Sequence, residues 1–378
     1  MDRRAFLRSG FALGCAAAAA PALTPLRLLA APGENRLVVI VLRGAMDGLG
    51  VFPPAADREY AALRPGLAAQ VSRDLVALDG RFGMDGRLAA LEPLWRAEQL
   101  AVAHAVSTPY RDKRSHFDGQ DLLENGGEEV GVLKDGWLNR VAALLPGATA
   151  AEALSVGRDA MLLTSGAAPF GSWAPGQQLI LRNDERGLLT RIYAQDPLFA
   201  EAVAMAEALS ADAGERRESA AAYAARRLAG EARIAAFSIG GWDTHANQHG
   251  ALGHPLAALS EAILSLRSGL GAAWSRTLVV AMTEFGRTAR ENGNRGTDHG
   301  TGGAALLAGG ALRGGRIYGS FPGIAERQLY GGRDLEPTED VRRHAAWAIS
   351  AQFGLPRAAL ESAIFPGLDM GAAPGWLA

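Results

Sequence analysis

The chain has 378 residues, 48% of them hydrophobic and 21% charged, with a formal net charge of −2. That profile belongs to a globular protein, long enough for one large α/β domain or two small ones. It carries no basic excess that would point to nucleic acid, and of its 38 basic residues only Lys113 and Lys134 are lysines.

The first segment is a different kind of sequence. M-D-R-R-A-F-L-R places Arg3 and Arg4 before an Ala-rich apolar run that reaches about Leu23, the order of a twin-arginine export signal. The alternative is an N-terminal membrane helix. Gly10, Gly14, Pro21 and Pro25 break the run below the roughly 18 apolar residues that a span needs. Residues 1–32 are therefore expected to be a signal read by the twin-arginine export machinery, with the small residues Ala30 and Ala31 suiting cleavage just before Pro32 or Gly33. The expected location is periplasmic or secreted, with no permanent membrane span. The single cysteine, Cys15, falls inside the signal, so a metal in the mature chain would have to be held by oxygen and imidazole.

Residues 33–378 read as a single α/β domain. The run Arg36–Leu42 is apolar and predicts a strand; R-G-A-M-D-G-L-G follows it, with Asp47. A helix is expected over Leu88–Ala97 and a strand over Leu100–Val106. A short link then leads to Y-R-D-K-R-S-H-F-D-G-Q-D, with Ser115, His116, Asp118 and Asp121. After a helix at Asp135–Leu145, residues 147–230 read as an insertion, Gly- and Pro-rich to 195 and helical from Pro197 to Gly230. The third strand, Arg233–Ile239, runs into G-G-W-D-T-H-A-N-Q-H-G, which holds Asp243, His245 and His249. A helix at Pro255–Trp274 precedes the fourth strand, Thr277–Met282. Beyond it stand T-E-F-G-R-T-A-R-E-N-G, with Glu284 and Arg287, and G-T-D-H-G-T-G-G, with Asp298 and His299, before a last strand at Ala304–Ala308. Strands alternating with helices over this length imply a mostly parallel sheet covered on both faces.

Four of these strands end in a polar cluster. Each cluster alone has a plain structural reading. Asp47–Gly48 suits a turn, Asp118 or Thr297 a helix cap, Ser115 the cap of a helix beginning near Phe117, Glu284–Arg287 a surface pair and His104 a core histidine. Together, at the C-terminal ends of parallel strands, they converge on one crevice. Two aspartates, a glutamate and several histidines there call for a cation, and the ligand types suit zinc, manganese or another divalent ion, one or two of them. The sequence has neither a G-x-S-x-G nucleophile elbow nor a phosphate-binding G-x-x-x-x-G-K-[ST] loop.

L-R-G-A-M-D-G-L-G, R-S-H-F-D-G-Q-D, G-G-W-D-T-H-A-N-Q, T-E-F-G-R-T-x-R-E-N and G-T-D-H-G-T-G, spread in that order along the chain, resemble the bacterial exported family labelled domain of unknown function 1501. Its fold is similar to that of the alkaline phosphatase and sulfatase superfamily. The resemblance implies an alkaline-phosphatase-like three-layer sandwich with one or two divalent metals around a hydroxyl nucleophile. By position it implies Asp47, Asp243, His245, Glu284 and His299 as metal ligands and Ser115 at the nucleophile's place. The expected catalytic residues are Ser115, His116 and Arg287, with Arg287 or Arg114 gripping a nonbridging oxygen. Asp298 would orient His299 or bind directly. Phe285 stands where the superfamily has a histidine, so His116 or His249 would have to replace it, and the tight Asp243-to-His245 spacing makes His249 a rival ligand. The function implied is an exported metal-dependent hydrolase of phosphate or sulfate esters, acting on a small molecule or a polymer. The alternative is a non-catalytic periplasmic binding or assembly protein on the same fold.

Overall fold

The computed structural model describes residues 34–146, 149–174 and 218–377. The expected signal and residues 175–217 of the expected insertion lie outside them. At the centre of the sheet is β1 (Arg36–Leu42), with all seven residues buried. Successive side chains of a strand point to opposite faces. Val38, Ile40 and Leu42 therefore enter one core, and Leu37, Val39 and Val41 enter the other. An unbroken apolar run is what a strand covered on both faces requires.

The other strands of this sheet are β2 (Leu100–Ser107), β3 (Ala153–Val156), β4 (Gly171–Trp173), β5 (Ile234–Ile239), β6 (Thr277–Met282), β7 (Gly303–Ala308), β8 (Ile317–Tyr318) and β9 (Glu339–Asp340). Their order is β8-β2-β7-β6-β1-β5-β3-β4, with β9 also beside β2. Only β7 runs antiparallel, against both β6 and β2; the other pairings are parallel. As a result β1, β2, β5 and β6 all finish at one edge of the sheet, and the four polar clusters meet there.

Five helices bear on the argument: α1 (His116–Asn125), α2 (Trp137–Leu144), α3 (Ala220–Ala229), α4 (Gly253–Leu270) and α5 (Val341–Phe353). Tyr223 and Leu228 of α3 and Leu259 and Ile263 of α4 fill the core on one face of the sheet. Trp137 and Val141 of α2 and Ile349 and Phe353 of α5 fill the other. Each fully buried aliphatic side chain stabilises by about 1.5–3 kcal/mol, so the two faces lock the sheet between helices as a three-layer α/β/α fold. No helix among the described residues is long and apolar enough to cross a membrane.

The expected strands match the observed ones within a residue, and the differences have local causes. Leu88–Ala97 is a 3₁₀ turn, Gly86–Leu91, followed by a short α-helix, Glu92–Arg96. Pro93 has no N–H to donate and is tolerated only in a helix's first turn. Within the expected insertion, the described residues supply β3 and β4, which lengthen the sheet at one edge. The helix expected over Pro197–Gly230 is described only in its last part, as α3. His104 is a core histidine of β2. Its Nε2 lies 3.2 Å from the Phe52 carbonyl, its Nδ1 accepts from the Ala105 N–H, and burial pushes its pKa down to about 4.

Candidate metal centre

Backbone geometry brings the clusters together before any side chain is considered. Gly44, just past β1, has φ +116°, and a Cβ there would stand 2.6 Å from the Asp243 nitrogen. Only glycine allows the loop after β1 to press against the loop after β5 in this way. The connection from β6 to β7 folds back along itself: Gly286 N–H donates to Thr301 O and Thr288 N–H to Asp298 O, both at 2.9 Å. That return carries Asp298 and His299 to Glu284 and Arg287. The first residue of α1 supplies His116 from the loop after β2.

Three imidazoles close on the Asp243 carboxylate. His245 Nε2 is 3.1 Å and His299 Nε2 3.2 Å from Asp243 Oδ1, and the two nitrogens are 3.0 Å apart. His116 Nε2 lies 3.4 Å from Asp243 Oδ2. It is near enough for charge attraction but not aligned for a hydrogen bond, and it is buried without a hydrogen-bond partner. Donor atoms of His116, Asp243 and His299 all fall within 4.8 Å of one another.

The opposite nitrogens explain the orientation of the rings. His116 Nδ1 is 2.7 Å from Glu284 Oε1, His245 Nδ1 is 3.2 Å from Asp298 Oδ1 and His299 Nδ1 is 2.9 Å from the Arg114 carbonyl. An ionised carboxylate or a carbonyl only accepts, so each Nδ1 must donate, and the Nε2 of each neutral ring carries a lone pair. This is the arrangement of metal-binding histidines, whose far N–H is held by a carboxylate or carbonyl. Nitrogen and oxygen ligands at about 2.0–2.2 Å around a tetrahedral ion stand roughly 3.3–3.6 Å apart; the imidazole nitrogens lie 3.1–3.4 Å from the Asp243 oxygens. The residues present fit a divalent cation held by imidazole and carboxylate, with no thiolate.

Electrostatics set the protonation states. Burial would raise the pKa of Asp243, but the Arg287 guanidinium at 2.5 Å, with His299 and His116, holds it down to about 2. Glu284 is fully buried; the bonds from His116 and Gln120 overcome that burial and keep its pKa below the ordinary value. The Glu284 bond raises the pKa of His116 against its partial burial. Burial, followed by the nearby Arg287 and His116 charges, lowers that of His299. Asn292, donating at 3.1 Å, and then His245 keep Asp298 ionised.

The structure gathers some of the residues singled out in the sequence and separates others. Asp243, His245 and His299 stand together, and His116 joins them. Glu284 points its carboxylate at His116 Nδ1, the Gly44 N–H and Thr283 Oγ1, so it orients the His116 ring instead of facing the cluster. Asp298 does the same for His245, where the sequence suggested His299. Phe285 stacks on His116, with centroids 5.1 Å apart and planes at 23°, and its ring centre is 5.3 Å from that of His299. Arg287 is buried, and its N–H groups go to the carbonyls of Ala45, Thr297, Gly44 and Trp242 and to Asp243 Oδ1. It clamps the loop ends together, and its other Nη1 hydrogen faces His245 Nε2 at 3.5 Å, so none of its donors is left for a substrate.

Asp47 is not brought to the cluster. Its side chain is 1% exposed and meets Arg64 Nη1 and Nη2 at 2.5 and 3.0 Å and Gln248 Nε2 at 2.6 Å. Arg64, itself fully buried, also donates to the Ala289 and Thr288 carbonyls. A guanidinium therefore neutralises this carboxylate where the sequence led us to expect a metal. Nothing in L-R-P-G marks Arg64 as that partner, since it becomes one only through the fold. His249 lies on the short helix Gln248–Ala251, its carbonyl bonded to Arg87, and is not among the gathered imidazoles. Ser115 is the N-cap of α1, accepting from the Asp118 N–H at 3.4 Å, and among the described residues no base reaches its hydroxyl.

Comparison with known proteins adds the following. A family model described as "Protein of unknown function (DUF1501)" matches residues 188–356. No curated protein matches the chain. Among solved structures the chain is similar to the C-terminal periplasmic domain of EcEptC from Escherichia coli in complex with Zn, at 11% identity and a TM-score of 0.33 over 73% of each chain. It is also similar to Ps i-CgsB in complex with k-i-k-neocarrahexaose, at 10% identity and a TM-score of 0.38 over 85% of this chain and 72% of that one. The matched stretch contains Asp243, His245, Glu284, Asp298 and His299, three of the five sequence motifs. Residues 188–356 are thus similar to the family described as protein of unknown function DUF1501.

Proposed function

We propose that the protein is an exported, metal-dependent hydrolase of phosphate or sulfate esters. The observation that carries the reading is the convergence of three imidazoles on Asp243, each with its Nδ1–H held by an acceptor and its Nε2 turned inward. Asp243, His299 and His116 would hold the cation, with His245 as a further ligand, and zinc or manganese suits that donor set. A divalent ion there supplies Lewis acidity toward an ester oxygen. Glu284, Asp298 and the Arg114 carbonyl fix the rings, and Phe285 keeps water from one side of His116. Since Arg64 takes the Asp47 carboxylate, we assign one ion to the site.

The attacking group in this reading is Ser115 Oγ, one residue before His116. It would have to turn from the Asp118 N–H, a long cap bond whose loss costs about 1 kcal/mol. The second reading is a non-catalytic binding or assembly protein. It is favoured by the same capping role of Ser115 and by the full engagement of Arg287. Metal analysis of protein purified through its native export route, with a panel of chromogenic phosphate and sulfate esters, tests the choice. Bound metal with turnover of either ester class supports the hydrolase. A protein that stays inert after addition of zinc, manganese, magnesium or calcium supports the binding role.

A further inference from the structure

Next to the imidazole cluster is a cavity of about 110 Å³, walled by the loop before α1 and by residues 330–334. Arg114 links the two features: its carbonyl accepts from His299 Nδ1 at 2.9 Å, and it is one of the residues lining the cavity. Arg333 on the other wall donates to the His299 carbonyl at 3.0 Å.

The loop is held in place from within. Arg111 Nη1 binds Ser107 Oγ at 3.1 Å and the Tyr110 carbonyl at 2.9 Å. Tyr330 OH donates to Asp112 at 3.2 Å. The charges around the cavity do not cancel. Arg333 pairs with Asp334 at 2.7 Å, and Thr301 also donates to that carboxylate. Among the described residues neither Lys113 nor Arg114 forms an ion pair. Against them stands only Asp112, so three cations face two carboxylates. At about 30 Å³ per water, the space is that of three or four waters, which suits one tetrahedral oxyanion.

We propose that this cavity is a second anion subsite. Lys113 and Arg114 hold a tetrahedral oxyanion carried next to the group at Asp243 and His299, so the preferred ligands bear two neighbouring anions, as a diphosphate does. A guanidinium fork and an ammonium are the donors that such oxygens take. The inference rests on the proposed reading of the imidazole cluster as a cation centre that takes an oxyanion.

Titration calorimetry on the full chain, in a zinc buffer that keeps the ion saturating, compares orthophosphate with inorganic pyrophosphate. Pyrophosphate is expected to bind at least about tenfold tighter. Lys113→Ala should remove about tenfold of its affinity, the loss of one charge-assisted contact. The same variant should leave orthophosphate within twofold, and Lys113→Arg should restore pyrophosphate binding. Equal affinities for the two anions, or a preference untouched by Lys113→Ala, would overturn the subsite and leave the cation centre standing. No orthophosphate binding at full zinc content would overturn both.

Discussion

His245 Nε2 and His299 Nε2 stand 3.0 Å apart, and in the neutral rings neither carries a proton, because each Nδ1–H goes to an acceptor on the far side. Two lone pairs facing each other beside a carboxylate repel unless a cation joins them. Asp243→Ala and His299→Ala should therefore each lower metal content and, in metal-containing buffer, the melting temperature together. A ligand present at 100 times its Kd stabilises by about 2.7 kcal/mol, and a variant that cannot bind loses that increment. Elemental analysis with calorimetry, with and without chelator, checks this; full occupancy in either variant would remove that residue from the ligand set.

Glu284 acts through His116. Glu284→Gln keeps the shape but replaces the acceptor of a 2.7 Å charge-assisted bond. Loss of such an orienting carboxylate commonly costs about 10–100-fold in metal affinity. Competition with a chromogenic chelator measures it, and affinity within twofold of the wild type would show that the His116 ring needs no such support.

Asp47 is the opposite case. Removing its charge by Asp47→Asn leaves the Arg64 guanidinium buried without a counter-ion, which costs about 3–5 kcal/mol. Metal stoichiometry should be unchanged. Denaturant titration gives the first quantity and elemental analysis the second; a loss of metal without a loss of stability would restore Asp47 to the ligands.

Ser115→Ala separates the roles of the hydroxyl. As a nucleophile it should cost several orders of magnitude in turnover while metal content holds. As a cap it should cost about 1 kcal/mol of stability with turnover nearly intact. Single-turnover rates and a melting curve on one preparation decide between them.

The depressed pKa of Asp243, about 2, sets a pH dependence for the metal-free protein. The ordinary aspartate value is about 3.9, so the folded state binds fewer protons there than the unfolded chain. The stabilisation is complete above about 3.9 and is lost as pH falls through about 2. The difference in melting temperature between the wild type and Asp243→Asn should persist undiminished from neutral pH to about 4, then close. A gap that already closes near pH 6 would mean that imidazole protonation controls it.

Much of the architecture could be read from local pattern. The run R-L-V-V-I-V-L allows little except a strand buried on both faces, and the polar clusters after Leu42, Val106, Ile239 and Met282 had to share an edge once their strands were parallel. Which role each carboxylate takes was a different matter. Asp47, Asp243 and Glu284 look alike in sequence, each in a polar stretch after an apolar strand. Asp47 meets an arginine 17 residues away, Glu284 a histidine 168 residues away, and Asp243 alone remains among the converging imidazoles. A carboxylate's chemistry follows from the charge beside it and the water it loses. Strand and helix periodicity report only backbone neighbours, so the carboxylate among the imidazoles, the orienting group and the buried counter-ion were separated by tertiary packing alone.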